Sequence, residues 1–274
     1  MKISVVTVCR NSARTIGHTV ESFLRQMHED KELVIVDGVS TDNTLDIVRS
    51  FPQDRIRIVS EPDNGIYDAM NKGLRLYSGD AIGFLNSDDT FHNDSSLALV
   101  NAGLSDADIV FGDLNMVSDH TTKRAIRSWR SGPFSRLGFH LGWIAPHPTL
   151  YVKRTVVDTV GEFYSSYRIS ADYDFMLRAM MIHRFQSRYI PQYLVDFQIG
   201  GMSTKGWRAT LLGNMECFDS RRRHFGWVPV DAALFGRPLR RIFQLRSPGR
   251  ATARAPNGGL RGANRSNTAT SNAP

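Results

Sequence analysis

Two cysteines in 274 residues, Cys9 inside an apolar run and Cys217 far downstream, are too few for a disulfide framework or a cysteine metal cluster. So little cysteine fits a reducing compartment. No apolar run approaches the roughly 18 residues that cross a bilayer. The chain opens on a strand-like run, Ile3 to Cys9, and not on a cationic stretch leading a hydrophobic one. A cytoplasmic protein without a signal peptide is expected. Glycine-rich phosphate loops are also missing: neither G-x-G-x-x-G nor G-x-x-x-x-G-K-[ST] occurs, and the first apolar run leads into Cys9-Arg10-Asn11-Ser12 with no glycine before Gly17. Phosphate held by a cradle of glycine amides is therefore excluded, which leaves side chains and metal for that task.

A basic surface is lacking as well, although the net charge is +7. Residues 1–220 carry 23 Lys and Arg against 26 Asp and Glu, a net −3, whereas residues 221–274 carry 11 Arg and only Asp231, a net +10. The basicity belongs to the C-terminal segment, and a nucleic-acid partner is excluded for the remainder.

What is present is ordinary globular composition, 41% hydrophobic and 22% charged, in a length that suits one large α/β domain. Strand and helix patterns alternate. Ile3 to Cys9 is a buried-strand pattern, followed by a helix from about Ser12 with Ile16, Val20, Phe23, Leu24 and Met27 on one apolar face. Leu33 to Val36 is a second strand ending in Asp37, with a helix from Thr41 after it. Ile56 to Val59 is a third strand, Tyr67 to Leu76 a helix, and Ala81 to Leu85 a fourth strand ending in Asn86-Ser87-Asp88-Asp89. Three βα units in a row predict a doubly wound, mostly parallel sheet flanked by helices. Further strands are expected at Asp108 to Gly112 and Pro148 to Lys153, and a helix over Asp172 to Met181. The division expected is a main domain over 1–215 (halves 1–112 and 113–215), a basic aromatic helical appendage over 216–246, and a disordered tail over 247–274.

In such sheets ligands gather beyond the carboxyl ends of the strands. The polar residues collect there: Arg10 and Asn11 after the first strand, Asp37 after the second, Glu61 after the third, and Asn86, Asp88 and Asp89 after the fourth. Adjacent carboxylates at Asp88 and Asp89 repel unless a cation offsets them, and Mg²⁺ favours one or two carboxylates plus phosphate oxygens. The bland alternative is a solvated turn or a cap for a helix near Ser95. Asp37 is suited to accept a hydrogen bond from a base or ribose, with Asp42 as a helix cap nearby. Asp172 and Asp174 sit at a helix start, where the dipole alone favours acids and Ser170 is placed to cap. His147 stands between Pro146 and Pro148, rigidly placed as a metal or acceptor contact or as polar surface.

The segments ISVVTVCRNSARTIGHTVESFLRQ, ELVIVDGVSTDNTLDIV, EPDNGIYDAMNKGL, AIGFLNSDDTF and SADYDFMLR, with GGMS further on, cover residues 1 to about 205. In this order and spacing the chain resembles the family 2 inverting glycosyltransferases of GT-A fold, particularly small bacterial members that build exopolysaccharides and envelope glycolipids. The resemblance implies a nucleotide diphosphate sugar donor, a divalent metal (Mg²⁺ or Mn²⁺), and a glycan or lipid-linked acceptor. It makes Asp37 the nucleobase contact and puts Arg10, Asn11, Glu61, Asp68, Asn71, Lys72, Asn86 and Asp88 around the donor. Asp88 and Asp89 fall on its metal motif and Asp172 on its catalytic base, with His147 and Asp174 as possible acceptor or metal contacts. Two departures stand out: Asn86 where many members have an Asp, and Ala171 where the segment usually has Glu. They leave open a degenerate nucleotide-sugar binding module. A sugar-phosphate nucleotidylyltransferase fits less well, since it would open with a glycine-rich loop. The Arg-rich C-terminal stretch suits either a peripheral contact with an anionic inner leaflet or a packed helical pair with a solvated tail.

Overall fold

The run Leu33 to Val36 is apolar at every position because it is covered on both faces. Leu33 and Ile35 enter one core and Val34 and Val36 the other, as the period-two alternation of a strand buried on two sides requires. The computed structural model describes residues 1–118, 125–199 and 206–226. Its chain order begins β1 (Ile3–Cys9), α1 (Ile16–Leu24), β2 (Lys31–Asp37), α2 (Thr44–Arg49), β3 (Ile56–Ser60), α3 (Ile66–Leu76), β4 (Ala81–Phe84), β5 (Asp89–Phe91) and α4 (Ser96–Leu104). It continues through β6 (Ile109–Val117), β7 (Ala125–Trp129), α5 (Arg136–His140), a single 3₁₀ turn over His147–Thr149, β8 (Tyr151–Lys153), α6 (Arg154–Val160), α7 (Ala171–Met176), β9 (Ser187–Gln198) and α8 (Gly206–Phe225).

The sheet runs β3-β2-β1-β4-β8-β6-β9-β5, with β7 added on β6. The first four strands are parallel, as the βα alternation predicts. Beyond β4 the sheet is mixed: β8 is antiparallel to β4 and β6, β9 is parallel to β6, and β5 is antiparallel to β9. The chain steps outward from β1 to β2 and β3, then returns to place β4 on the other side of β1. The topological switch point, and with it the ligand crevice of an open α/β sheet, lies between the carboxyl ends of β1 and β4. One core, under α1, α2 and α4, is filled by Ile16, Val20, Phe23, Val48, Leu97 and Val100. The opposite core, under α3, α6 and α7, holds Met70, Leu74, Val156 and Phe175.

Several boundaries differ from the sequence reading. The helix predicted from Ser12 begins at Ile16, after a turn in which Thr15 and Ile16 donate to the Ser12 carbonyl at 3.0 Å. It ends at Leu24, so Met27 lies outside the apolar face and is 69% exposed. The helix over 172–181 is two pieces, α7 and a π-helical stretch over Leu177–Ile182; the wider turn rotates Ile182 outward while Phe175 and Ala179 stay buried. Residues 148–150 belong to the 3₁₀ turn and its exit, which leaves only Tyr151–Lys153 as strand. β9 went unread in the sequence because Pro191 interrupts it. Pro191 falls where the pairing with β6 jumps from Phe111↔Tyr189 to Asp113↔Tyr193, a break in the ladder that tolerates a residue without an N–H.

The domain boundary expected after residue 215 falls inside α8. The second half of that helix is bonded into the main body: Glu216 accepts from the amides of Arg168, Ile169 and Ser170, Asp219 from Tyr167, and Ser220 donates to Asp174. The appendage beyond residue 226, the tail over 247–274 and the GGMS segment at residues 200–203 lie outside the described residues. No helix among the described residues is long and apolar enough to cross a membrane.

Candidate active site

At the switch point the two central strands meet directly. Ser12 after β1 and Ser87 after β4 have their hydroxyl oxygens 2.9 Å apart, and the Ser12 amide donates to Thr44 Oγ1 at 2.7 Å. Asn11 joins β1 to the loop after β2: its amide donates to Ser40 Oγ at 2.8 Å, and its Oδ1 accepts from the Thr41 amide at 2.8 Å. Asn11 and Val39 both have left-handed backbones, with φ of 52° and 56°. Asn tolerates that region, but a β-branched valine does not adopt it without strain. Val39 is also 45% exposed. Such strain is held where surrounding structure over-determines a loop, as at ligand sites.

Asp37 anchors this corner. Its Oδ2 accepts from the Ser40 amide at 3.0 Å and from Ser60 Oγ at 2.7 Å, and its Oδ1 from Ser40 Oγ and, at 3.6 Å, from Cys9 Sγ. Burial opposes its ionisation, but the hydrogen bonds from Ser40, Ser60 and Cys9 together prevail and hold its carboxyl below the usual range. The same burial, followed by the Asp37 charge, pushes the Cys9 thiol up and leaves it inert. Asp37 thus commits both oxygens to the protein's own loops.

The residue next to it, Gly38, shows what covers the site. A Cβ there would lie 2.3 Å from Asp63 Oδ2 and 3.5 Å from Arg10 Cδ, so these two side chains close over bare backbone. Asp63 also accepts from the Gly65 amide at 3.0 Å, and Gly65, with φ of 119°, occupies a conformation suited to glycine as it opens α3. The sequence reading did not single out Asp63; an Asp-Asn-Gly turn just ahead of a helix was the available signal.

The other residues expected around the donor mostly shape the loops. Lys72 pairs with Glu61 at 3.2 Å and donates to the Pro62 carbonyl, and Asp68 accepts from the Asn64 amide at 2.9 Å. Asn71 is a correction: it is buried, and its amide donates to the Phe163 carbonyl while its carbonyl accepts from the Phe163 amide, each at 2.9 Å. It fastens α3 to the loop before α7.

The acidic turn divides its two carboxylates. Asp88 is half-buried in the turn at the end of β4. Asp89 begins β5 and is fully buried, its Oδ2 accepting from Asn86 Nδ2 at 2.8 Å and its Oδ1 from the Gln198 amide at 3.2 Å. Burial and then the neighbouring Asp88 charge push Asp89 well above the usual carboxylate range. No group of three or more potential metal-ligating side chains gathers among the described residues. One hard carboxylate at Asp88 fits a divalent ion that completes its shell with phosphate oxygens. Asp89, expected as the second ligand, is instead turned inward, and Asn86 serves as its partner.

Two aromatic contacts hold His147 between the end of β4 and the loop before α7. His147 stacks on Phe84, the last residue of β4, at 5.5 Å between centroids and meets Phe163 edge-on at 5.9 Å. Burial lowers the His147 pKa, and the Asp172 carboxylate opposes that shift, which puts the two groups within electrostatic reach. From α3, the Tyr67 hydroxyl donates toward Asp172 Oδ1 at 3.2 Å. Ser170 does not cap α7; its hydroxyl donates to the Gly213 carbonyl at 3.0 Å. Asp174 is a second correction: it is fully buried, paired with Arg178 at 2.7 Å, and bonded to Ser220 at 2.7 Å and His224 at 3.1 Å, so it locks α7 to α8 and does not meet an acceptor.

A mixed α/β sheet with acidic and polar loops gathered at its switch point has GT-A architecture. Residues 4–153 match the model described as Glycosyl transferase family 2, and the chain belongs to that family. It is a glycosyltransferase. It is 32% identical over 207 residues to the PGL/p-HBAD biosynthesis glycosyltransferase of Mycobacterium tuberculosis, covering 73% of this chain and 78% of that one. A further glycosyltransferase of the same organism is 30% identical over 230 residues, with 81% and 85% covered. Two solved structures share the fold at 18% identity. One is Staphylococcus aureus TarS 1-349 in complex with UDP-GlcNAc, with a TM-score of 0.62 over 82% of this chain and 73% of that one. The other is the mannosyltransferase PcManGT from Pyrobaculum calidifontis in complex with GDP-Man and Mn²⁺, with a TM-score of 0.64 over 89% and 72%.

Proposed function

We propose that the chain transfers a sugar from a nucleoside diphosphate sugar to a hydroxyl of a growing glycan or lipid-linked glycan, with inversion in a single displacement. The observation that carries this reading is that Asp172, a partly exposed carboxylate, lies within electrostatic reach of His147, whose ring stacks on Phe84 at the end of β4. Asp172 takes the proton of the acceptor hydroxyl as that oxygen bonds to the anomeric carbon, while the carbon–oxygen bond to the diphosphate breaks and its electron pair leaves with the nucleotide. A single displacement of this kind inverts the anomeric centre. A divalent ion held by Asp88, when bound, supplies positive charge to the leaving diphosphate. The loops carrying Arg10, Asn11, Val39 and Asp63 receive the nucleoside end. Neighbours solved with UDP-GlcNAc, and with GDP-Man and Mn²⁺, support a nucleotide-sugar donor and a divalent ion. Relatives named for PGL/p-HBAD biosynthesis support a glycolipid-type acceptor.

The test is turnover of a panel of nucleoside diphosphate sugars with Mn²⁺ or chelator, followed by NMR of the product's anomeric centre, for wild type and Asp172→Asn. Inverted product from wild type and a loss of roughly 10²–10⁴-fold in kcat for the variant are expected. Retained configuration, or a fully active variant, overturns the mechanism.

A further inference from the structure

The protein treats the two oxygens of Asp172 differently. Oδ1 accepts the Tyr173 amide hydrogen at 2.8 Å and lies 3.2 Å from the Tyr67 hydroxyl. That hydroxyl is also 2.6 Å from the Ile169 carbonyl, so its single hydrogen is shared between the backbone of the base loop and the carboxylate. Among the described residues no donor reaches Oδ2.

Tyr67 is buried, its ring 5.8 Å from that of Phe163. Burial, and after it the Asp172 charge, push the phenol well above its usual value, so it stays protonated at any working pH and remains a donor. A tyrosine buried among Met70, Phe163 and Phe175 gains nothing from a hydroxyl that phenylalanine would lack, unless the hydroxyl has a partner to hold. Both of its partners are in the segment that carries the base.

Resting on the reading of Asp172 as the base, we propose that Tyr67 is its positioning residue. Its hydroxyl and the Tyr173 amide fix Oδ1, and Oδ2 is thereby the atom that receives the acceptor proton. The other titratable groups facing this point are His147, from the turn before β8, and Glu216 of α8, which is within electrostatic reach of the Tyr67 hydroxyl. His147 is held neutral by its burial, and the carboxylate of Glu216 is engaged by three backbone amides.

The experiment is the measurement of kcat and KM for Tyr67→Phe beside wild type and Asp172→Asn, with donor affinity measured by calorimetry. Tyr67→Phe keeps the ring and its packing. Its kcat is expected to fall about tenfold, with KM and donor affinity unchanged. If Asp172→Asn is inactive while Tyr67→Phe has wild-type kcat, this inference is overturned and the assignment of the base stands. Should Tyr67→Phe lose donor affinity along with kcat, Tyr67 is merely structural and the inference fails. An active Asp172→Asn removes the base itself, and the inference with it.

Discussion

Glu216 Oε2 accepts the amide hydrogens of Ile169 and Ser170, each at 2.9 Å, while Oε1 takes that of Arg168 at 2.7 Å. One side chain from α8 thus satisfies three successive backbone donors immediately ahead of Asp172. Glu216→Ala leaves those amides without their partner in a buried place, and a loss of about 2–4 kcal/mol in urea unfolding is expected. The fall in kcat should exceed the fall in donor affinity, because the segment released carries Asp172 and the nucleotide loops are elsewhere.

Asp88 and Asp89, adjacent in the acidic turn, should respond differently to substitution. Asp88→Asn should bind nucleoside diphosphate about tenfold or more weakly in Mn²⁺ and lose the difference between Mn²⁺ and chelator, with its melting temperature little changed. Asp89→Ala should instead lower stability by about 1–3 kcal/mol, since Asn86 Nδ2 and the Gln198 amide lose their acceptor. Calorimetric titration and thermal melts of the two variants side by side check both halves. Equal effects on binding would mean that Asp89 turns outward to share the ion.

Gly38→Ala puts a methyl group against the free end of Asp63 and leaves the strand unaltered. The fold should survive, because that end can swing away. Nucleotide affinity should drop about tenfold, on the order of 1.4 kcal/mol, as the lid over the β2 end opens. Unchanged affinity in a titration with UDP and GDP would remove Asp63 from the donor site.

Glu32 gives the pH dependence of the scaffold. Burial opposes its ionisation, but hydrogen bonds from Ser4, Ser78 and Lys2 outweigh that and push its pKa down to about 2 from an ordinary 4.5. A carboxyl depressed on folding contributes stability that is present above the unfolded value and is lost as pH falls through the folded one. Between pH 4.5 and about 2, wild type should therefore lose stability more steeply than Glu32→Gln. Urea titrations at several pH values measure the difference in slope.

The strands of the parallel half were legible in the sequence because burial on two faces leaves an uninterrupted apolar run, and their acidic ends marked the crevice. β5, β7 and β9 were not. β5 is three residues long and exists only by pairing with β9, whose pattern Pro191 breaks. The motif pointed to Asp172, yet what holds that side chain was hidden. Tyr67 reads as one more apolar position of an amphipathic helix, and Glu216 as a surface acid among charged neighbours. Their partners are 105 and 46–48 residues away in the chain, a distance that no local pattern encodes. Asn71 and Asp174 were misassigned for the converse reason: a polar residue beside a motif looks like part of the site until its hydrogen bonds are seen to end in backbone and buried ion pairs.

The pairing of β5 with β9 has a consequence for how much of the chain the site requires. The turn bearing Asp88 is closed on its far side by residues 195–198, and the base loop by α8. In chain order the crevice between β1 and β4 is built by the first ninety or so residues, whereas its acidic turn is closed by residues 195–198 and the loop ahead of Asp172 by Glu216. A chain cut before residue 195 would keep the strands that form the crevice and lose both closures.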